Sequence, residues 1–228
     1  LGIDALPLVL ISHLDADHVG GLAGALEGRD VGVVATGTLS PADDRSRRLD
    51  GLVRRAGAER AVLVPGDRPV VGGVSIEVLA PAPERATAAA EPNDLSLVVR
   101  VEVKGLAILF AGDLGAEEEA RIVAEGTDLR ADVLKVPHHG SGDADPRFLA
   151  ASGARVALIS VGADNSYGHP TARLLTWLSQ AAMRVHRTDL EGDLALVTTV
   201  GEWGVAGRGT GDKGGRAPAQ ERRPPVTP

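Results

Sequence analysis

The sequence contains no cysteine and very few aromatic side chains. Without cysteine there is no disulfide framework and no thiolate metal site. Aromatic residues make up 2% of the 228 residues, so valine, leucine, alanine and isoleucine must build the core. The same shortage disfavours extended stacking on nucleic-acid bases. No apolar run approaches the ~20 residues of a membrane span, so we expect no transmembrane segment in this chain.

A general excess of positive charge is also absent. The chain has 24 basic and 31 acidic residues, which gives a net charge of −7. This balance argues against a broadly basic nucleic-acid-binding surface but leaves room for a local site. The sequence starts at Leu1 in the middle of an apolar pattern, which predicts a fragment of a longer protein.

Apolar, β-branched runs alternate with helix-like segments, which is typical of an α/β fold. The clearest predicted helices are 43–56, 116–125 and 171–183. The predicted strands are 8–11, 31–35, 61–64, 74–79, 95–103, 106–111, 133–136, 156–161 and 194–199. Lys104-Gly105 is a hairpin signal. We expect one domain over residues 1–203 and a disordered polar tail over residues 204–228, where Gly, Pro, Arg and Gln dominate.

The stretch Ser12 to Gly21, SHLDADHVGG, lies between an apolar strand and a helix-like run. It crowds two imidazoles and two carboxylates into six residues, which are His13, Asp15, Asp17 and His18. Such a tight loop can turn His13 and Asp15 to one side and the other pair to the opposite side. That arrangement would serve two cations that lie close together.

Three further strand ends carry similar groups. Asp113 follows LAILFAG, His138 and His139 follow VLKVP, and His169 follows a third strand in SVGADNSYGHP. Ligands of open α/β sheets bind where strand ends face one crevice. Asp113 could then bridge the two cations, and two metals ~3.5–4 Å apart are suited to activating water.

Each group also has an ordinary structural explanation. Asp17 could cap the following helix, Asp113 and His169 could be turn residues, and His138 and His139 could be a solvated pair. All of these explanations would have to hold together. Four strand ends with His and Asp are better explained by a metal centre.

These motifs resemble the metallo-β-lactamase superfamily, and within it the C-terminal domain of ComEC-type DNA-uptake proteins. SHLDADHVGG, FAGD, VLKVPHHGS and SVGADNSYGHP occur in the family order. The resemblance implies a four-layer αβ/βα sandwich whose first hairpin is missing from this chain, so that the fold is N-terminally truncated. The metals would lie at the edge where the sheets meet.

The resemblance also implies roles for individual residues. His13 and Asp15 would hold one metal, Asp17 and His18 the other, and Asp113 both. His139 would complete the second site and His138 would contact a substrate phosphate, although these two roles could be swapped. The implied catalytic residues are Asp17, Asp113 and His138, and the implied substrate-side residues are His138, Ser141, Asn165, His169 and Asn93.

Two departures from the superfamily replace nitrogen with oxygen. Asp15 stands where a second histidine of the HxHxDH motif is usual, and Asn93 lies nearest to a further expected histidine. Harder ligands shift metal preference from zinc toward manganese or magnesium. We therefore expect two divalent ions, Mn²⁺ or Zn²⁺ with Mg²⁺ as a third option, and chemistry on phosphate esters.

The leading hypothesis is a phosphodiesterase that degrades the non-imported strand during DNA uptake. Its partners would be single-stranded DNA and the membrane channel region of a parent protein. The domain would then face the extracytoplasmic side of the cell membrane. The alternatives are a phosphodiesterase for a small ester and a non-catalytic module that guides DNA.

Overall fold

The first sheet and its helices are built from the N-terminal third of the chain. The computed structural model describes residues 2–41, 43–199, 202–209 and 219–222. The first sheet is parallel and has the order β1-β2-β3, with β1 (Ala5–Ile11), β2 (Asp30–Thr36) and β3 (Glu59–Val62). Its connections contain helices α1 (Ala16–Val19), α2 (Leu22–Leu26) and α3 (Arg45–Arg55).

The second sheet is mixed and has seven strands in the order β10-β9-β8-β7-β6-β5-β4. The strands are β4 (Val70–Val71), β5 (Val74–Ala80), β6 (Val98–Val103), β7 (Leu106–Phe110), β8 (Val133–Lys135), β9 (Val156–Ile159) and β10 (Arg184–Arg187). Neighbours are antiparallel from β4 to β7 and parallel from β7 to β10. The accompanying helices are α4 (Ala116–Ala124), α5 (Pro146–Ala151), α6 (Ala172–Gln180) and α7 (Thr188–Glu191).

The helices cover the outer faces of the first two sheets. In α3, Leu49 and Val53 lie one turn apart on the same side and pack with Val34 of β2, while the arginines of this helix lie elsewhere on its surface. On the second sheet, Leu134 of β8 packs against Phe148 of α5. Burial of one apolar stripe per helix against an apolar sheet face explains both layers.

The inner faces of the two sheets pack against each other. Leu8 and Leu10 of β1 contact the cluster that contains Ile76 and Val99 of the second sheet. The order of layers is therefore helix, sheet, sheet, helix. The predicted αβ/βα sandwich is confirmed.

Strand β1 forms an edge of the first sheet and borders an apolar groove. The groove lies between β1 and the inner face of the second sheet and has a volume of ≈ 630 Å³. Leu6, Leu8 and Val101 are among its lining residues, and Ser12 and His18 lie at its polar end.

A third, antiparallel sheet corrects the predicted start of the tail. It contains β11 (Asp193–Thr199), β12 (Glu202–Arg208) and β13 (Ala219–Arg222). The prediction of disorder from residue 204 is wrong for 204–208 and 219–222, because these segments pair as strands. Trp203 and Val205 are buried against β7, β8 and β9, so this part of the sheet belongs to the core. Residues 210–218 and 223–228 of the predicted tail lie outside the described residues.

The other element predictions differ from the structure mainly at their ends. The strand predicted from Leu95 begins at Val98, because 93–95 form a 3₁₀ turn instead. The predicted hairpin at Lys104-Gly105 is confirmed, and both residues adopt positive φ angles, of 50° and 75°. His186 lies on the edge strand β10.

Candidate metal centre

The loop that begins at Ser12 connects β1 to the short helix α1. The peptide N–H groups of His18 and Val19 both donate to the carbonyl of Asp15, at 3.0 Å each, which starts the helical turn. Asp15 occupies the N-cap position and Asp17 lies inside the helix, so the capping explanation for Asp17 is wrong. Gly20 allows the turn, because a Cβ there would lie 2.5 Å from the carbonyl oxygen of Ala16.

Four of the predicted ligands converge on one point. Asp17, His18, Asp113 and His139 each offer one ligand atom, and these atoms lie within 4.8 Å of one another. Asp113 lies between the two imidazoles: His18 Nε2 is 3.3 Å from its Oδ1, and His139 Nε2 is 3.3 Å from its Oδ2. His139 Nε2 also lies 3.2 Å from Oδ2 of Asp17.

His13 and Asp15 lie beside this group. The rings of His13 and His18 are 4.1 Å apart between centroids. Nε2 of His13 lies 3.9 Å from Oδ2 of Asp15, whereas the other carboxylate oxygen of Asp15 accepts from the guanidinium of Arg45. The structure therefore brings all six predicted ligands together, in two adjoining sets. Their role as ligands stays a prediction.

Two serine hydroxyls orient the imidazoles. Ser12 Oγ lies 3.1 Å from Nδ1 of His13 and 3.2 Å from Nδ1 of His18. Ser96 Oγ lies 3.3 Å from the same nitrogen of His13 and accepts from the peptide N–H of Asp113 at 3.0 Å. Contacts at Nδ1 direct the Nε2 atoms toward the cluster, which is how outer residues of metal sites fix their histidine ligands.

Close backbone packing positions Asp113. Gly112 has φ of +53°, and a Cβ at this position would lie 2.7 Å from the side chain of Ser96. The carbonyl of Gly112 also accepts from the peptide N–H of His138 at 3.1 Å, which joins the two strand-end loops. Only glycine combines this backbone angle with so close an approach.

The backbone separates the two adjacent histidines. His138 and His139 both have left-handed conformations, with φ of 47° and 53°. His139 Nδ1 donates to the carbonyl of Ser160 at 2.8 Å, which leaves Nε2 facing the carboxylates. His138 lies instead beside His169, with 6.0 Å between ring centroids. Of the two alternatives left open by the sequence, the geometry favours His139 as the ligand.

The cluster shifts the pKa values of its members in opposite directions. Burial lowers the pKa of His13 to about 4, and the neighbouring charge of His18 acts in the same direction. Burial raises the pKa of Asp113, but contacts with His139 and His18 outweigh burial and the pKa is lowered. Contact with Asp113 raises the pKa of His139. Near neutral pH, His13 is therefore a neutral donor and Asp113 a carboxylate.

The predicted substrate-side residues differ in their hydrogen bonding. Asn165 donates to the carbonyl of His169 at 3.0 Å and accepts from its peptide N–H at 3.2 Å, so its amide braces its own loop. Ser141 Oγ accepts from the peptide N–H of Asp143 at 3.1 Å. Oδ1 of Asn93 is buried and has no hydrogen-bond partner among the described residues. Their contact with a substrate stays a prediction.

Two basic residues near the site were not predicted. Lys135 ends β8, donates to the carbonyl of Val136 at 2.9 Å and lines the groove next to His18. Burial lowers its pKa, while the charge of Asp113 opposes that shift. Arg45 binds Asp43 as well as Asp15. Lys135 could have been found from the sequence, because it is the single charged residue in the apolar run VLKV. Nothing in the local sequence links Arg45 to Asp15.

The fold and the cluster define a protein of the metallo-β-lactamase class. Residues 1–146 match the metallo-beta-lactamase superfamily, whose members are generally metal-dependent hydrolases. Because the match covers more than half of the chain, the chain belongs to this superfamily. The predicted resemblance is thereby confirmed.

Two curated relatives are competence proteins. ComE operon protein 3 of Bacillus subtilis (strain 168) is 32% identical over 197 residues, which cover 85% of this chain and 25% of the relative. Competence protein ComA of Neisseria gonorrhoeae is 30% identical over 206 residues, which cover 90% of this chain and 27% of the relative. The chain thus spans about a quarter of the length of these relatives.

Similar solved structures are much more distant in sequence. The E377D mutant of the CmlA beta-hydroxylase has a TM-score of 0.52 and 13% identity, over 79% of this chain and 42% of that one. The metallo-beta-lactamase fold protein YhfI from Bacillus subtilis has a TM-score of 0.45 and 12% identity, over 79% of this chain and 73% of that one. The similarity to CmlA concerns the fold alone.

Among the described residues, no helix combines the length and the apolar character that a membrane crossing requires.

Proposed function

We propose that this chain is a metal-dependent phosphodiesterase that cuts DNA as part of a competence-type DNA-uptake protein. The observation that carries the proposal is the position of Asp113, whose two oxygens each lie 3.3 Å from a different imidazole, one on His18 and the other on His139. The two relatives, both competence proteins, supply the competence context.

The donor set fits two divalent ions. His13 and Asp15 would hold one ion, Asp17, His18 and His139 the other, and Asp113 both. Nε2 of His13 is buried without a hydrogen-bond partner among the described residues, as expected of an atom that binds a metal. Three carboxylates against two divalent charges leave a net positive centre, which suits an anionic substrate. Mn²⁺, Zn²⁺ and Mg²⁺ are the candidates.

When bound, such ions supply an activated water and neutralise the charge that develops on a phosphodiester. The side chains of the protein orient the ligands and the substrate. Ser12 and Ser96 hold the histidine rings in position. His138 and His169 place two further imidazoles beside the cluster, and Nδ1 of each is buried without a described hydrogen-bond partner. We assign them to placing the substrate phosphate or protonating the leaving oxygen.

The biological setting is part of the proposal. We infer that the parent protein carries a membrane channel region and that this domain works on the extracytoplasmic face of the cell membrane. There it would degrade the strand of incoming DNA that is not imported. Single-stranded DNA is the proposed substrate.

Asp113→Asn tests the proposed activity. The substitution keeps the shape of the side chain but removes the charge shared by the two ligand sets. We expect bound metal to fall by one ion per chain and cleavage to fall by orders of magnitude, since each ~1.4 kcal/mol of lost transition-state stabilisation is a tenfold loss in rate. Metal content by elemental analysis and cleavage of a labelled single-stranded oligonucleotide in excess Mn²⁺ are the measurements.

His186→Ala is the matched control. This histidine lies on β10 and contacts Glu191 at 2.9 Å, away from the cluster. Its replacement should leave the rate of cleavage nearly unchanged.

An Asp113→Asn variant that cuts as fast as the wild type would refute the two-metal hypothesis. Cleavage of a nitrophenyl phosphodiester but not of DNA would favour the small-ester alternative, and a metal-loaded wild type that binds DNA but cuts neither substrate would favour the DNA-guiding module.

A further inference from the structure

Tyr167 presents an aromatic ring to solvent beside the candidate metal centre. It is the only tyrosine in the sequence, and 83% of its surface is exposed. One side of the ring is stacked on His169, with centroids 6.2 Å apart and planes inclined by 17°. Such exposure of a large ring offers its opposite face to a planar partner.

The loop that carries Tyr167 is held in place from both ends. Asn165 binds both the peptide N–H and the carbonyl of His169, at 3.2 and 3.0 Å, and so closes the segment around the tyrosine. Beyond it, the peptide N–H of Thr171 donates to the carbonyl of Gly140 at 2.9 Å. The aromatic ring is therefore tied to the same loop that supplies His139.

Two ring contacts lead from Tyr167 toward the candidate metal centre, first to His169 and then to His138. His169, under Tyr167, lies 6.0 Å from His138 in an edge-to-face arrangement. His138 directly precedes His139, whose Nε2 lies 3.3 Å from Asp113. Tyr167 therefore lies next to His169, one of the two imidazoles assigned to the substrate phosphate, which is where a nucleobase attached to that phosphate would lie.

We propose that Tyr167 stacks on a nucleobase next to the scissile phosphate and thereby selects nucleic-acid strands over other phosphodiesters. This inference rests on the proposed function and names how its substrate is recognised. Every base has a π-face, so one stacking ring binds a strand with little regard to sequence. A net charge of −7 gives little general attraction for DNA, which increases the relative weight of a single stacking contact.

Binding to two strands of equal charge tests the proposal. The probes are a fluorescent phosphorothioate oligonucleotide, which resists cleavage, and an abasic strand of the same length and backbone. Fluorescence anisotropy with Mn²⁺-loaded protein gives Kd. Tyr167→Ala should weaken binding of the base-bearing strand about tenfold, equivalent to about 1.4 kcal/mol. Tyr167→Phe should restore it, because the ring rather than the hydroxyl makes the contact.

Binding of the abasic strand should be the same in the wild type and in both variants. Leu190→Ala, which removes an exposed apolar side chain on α7, is the surface control. On cleavable DNA, Tyr167→Ala should raise KM by a similar factor while kcat changes little. Equal loss on both strands would instead show a general effect on the loop and would overturn the proposal, as would unchanged binding of the base-bearing strand.

Binding and cleavage measured together distinguish the stacking site from the proposed phosphodiesterase activity. Tyrosine-dependent binding without any cleavage by the wild type would support the stacking site and refute the phosphodiesterase. Cleavage with a KM that is insensitive to Tyr167→Ala would support the phosphodiesterase and refute the stacking site. A wild type that binds neither strand would overturn the stacking site outright.

Discussion

Replacing Glu119 with glutamine is expected to stabilise the protein between about pH 5 and pH 8. Glu119 lies in the first turn of α4 and is completely buried. One of its oxygens accepts from the peptide N–H of Asp145, and the other has no hydrogen-bond partner among the described residues. Burial, together with the nearby carboxylates of Asp145 and Asp143, raises the pKa of Glu119 from 4.5 to about 8.

The sign of the effect follows from the raised pKa. Below pH 4.5 the carboxyl is protonated in both the folded and the unfolded chain, so its titration does not change the free energy of unfolding. Between pH 4.5 and about 8 the folded state must keep a proton that the unfolded chain releases, and stability falls as the pH rises. Each pH unit costs about 1.4 kcal/mol, which gives a penalty of roughly 3 kcal/mol at pH 7.

Glutamine stays neutral and can still accept the hydrogen bond from Asp145. Urea unfolding of the wild type and Glu119→Gln should be measured at pH 5, 6, 7 and 8. The difference between their free energies of unfolding should increase with pH. Glu118→Gln is the control, because the adjacent carboxylate pairs with Arg85 and Arg121 and its loss should destabilise the fold. A constant separation between the wild type and Glu119→Gln across the four pH values would refute the assignment of a buried, protonated Glu119.

Three further outcomes follow from the structure. Adding Mn²⁺ at 100 times its Kd should stabilise the fold by about 2.7 kcal/mol for each ion bound, seen as a thermal shift that EDTA reverses, and Asp113→Asn should shrink this shift. Ser96→Ala removes the hydroxyl between His13 and Asp113, so metal affinity by calorimetry should fall roughly 10- to 100-fold, and an unchanged affinity would exclude an orienting role. Gly140→Ala should lower the melting temperature, because φ is +88° and the new Cβ would lie 2.6 Å from Cβ of Pro170; a fully stable variant would mean that the loop relaxes freely.

The convergence of the site could be predicted because strand order decides it. Asp113 and His139 follow β7 and β8, which are parallel neighbours, so their loops emerge at one edge of the sheet. That rule needs the positions of the apolar runs together with the tendency of consecutive strands to be neighbours in a sheet. The αβ/βα architecture followed from the resemblance of the motifs to a known superfamily.

Other features depend on contacts that sequence spacing does not contain. Ser96 reaches His13 across 83 positions, and Arg45 reaches Asp15 across 30. The strand β12 was missed because its glycines and charges suggest a loop, whereas burial of Trp203 against the second sheet stabilises it. Tertiary packing overrode local propensity there.

The left-handed pair His138–His139 has a consequence for how this protein would respond to engineering. Each non-glycine residue in that conformation costs about 1–3 kcal/mol, and glycine would adopt the same angles without that penalty. Variants selected for heat resistance alone would therefore be enriched in glycine at these two positions. Such a screen would yield more stable proteins that have lost the imidazoles, and the positions where stability and the proposed activity diverge most would outline the candidate site.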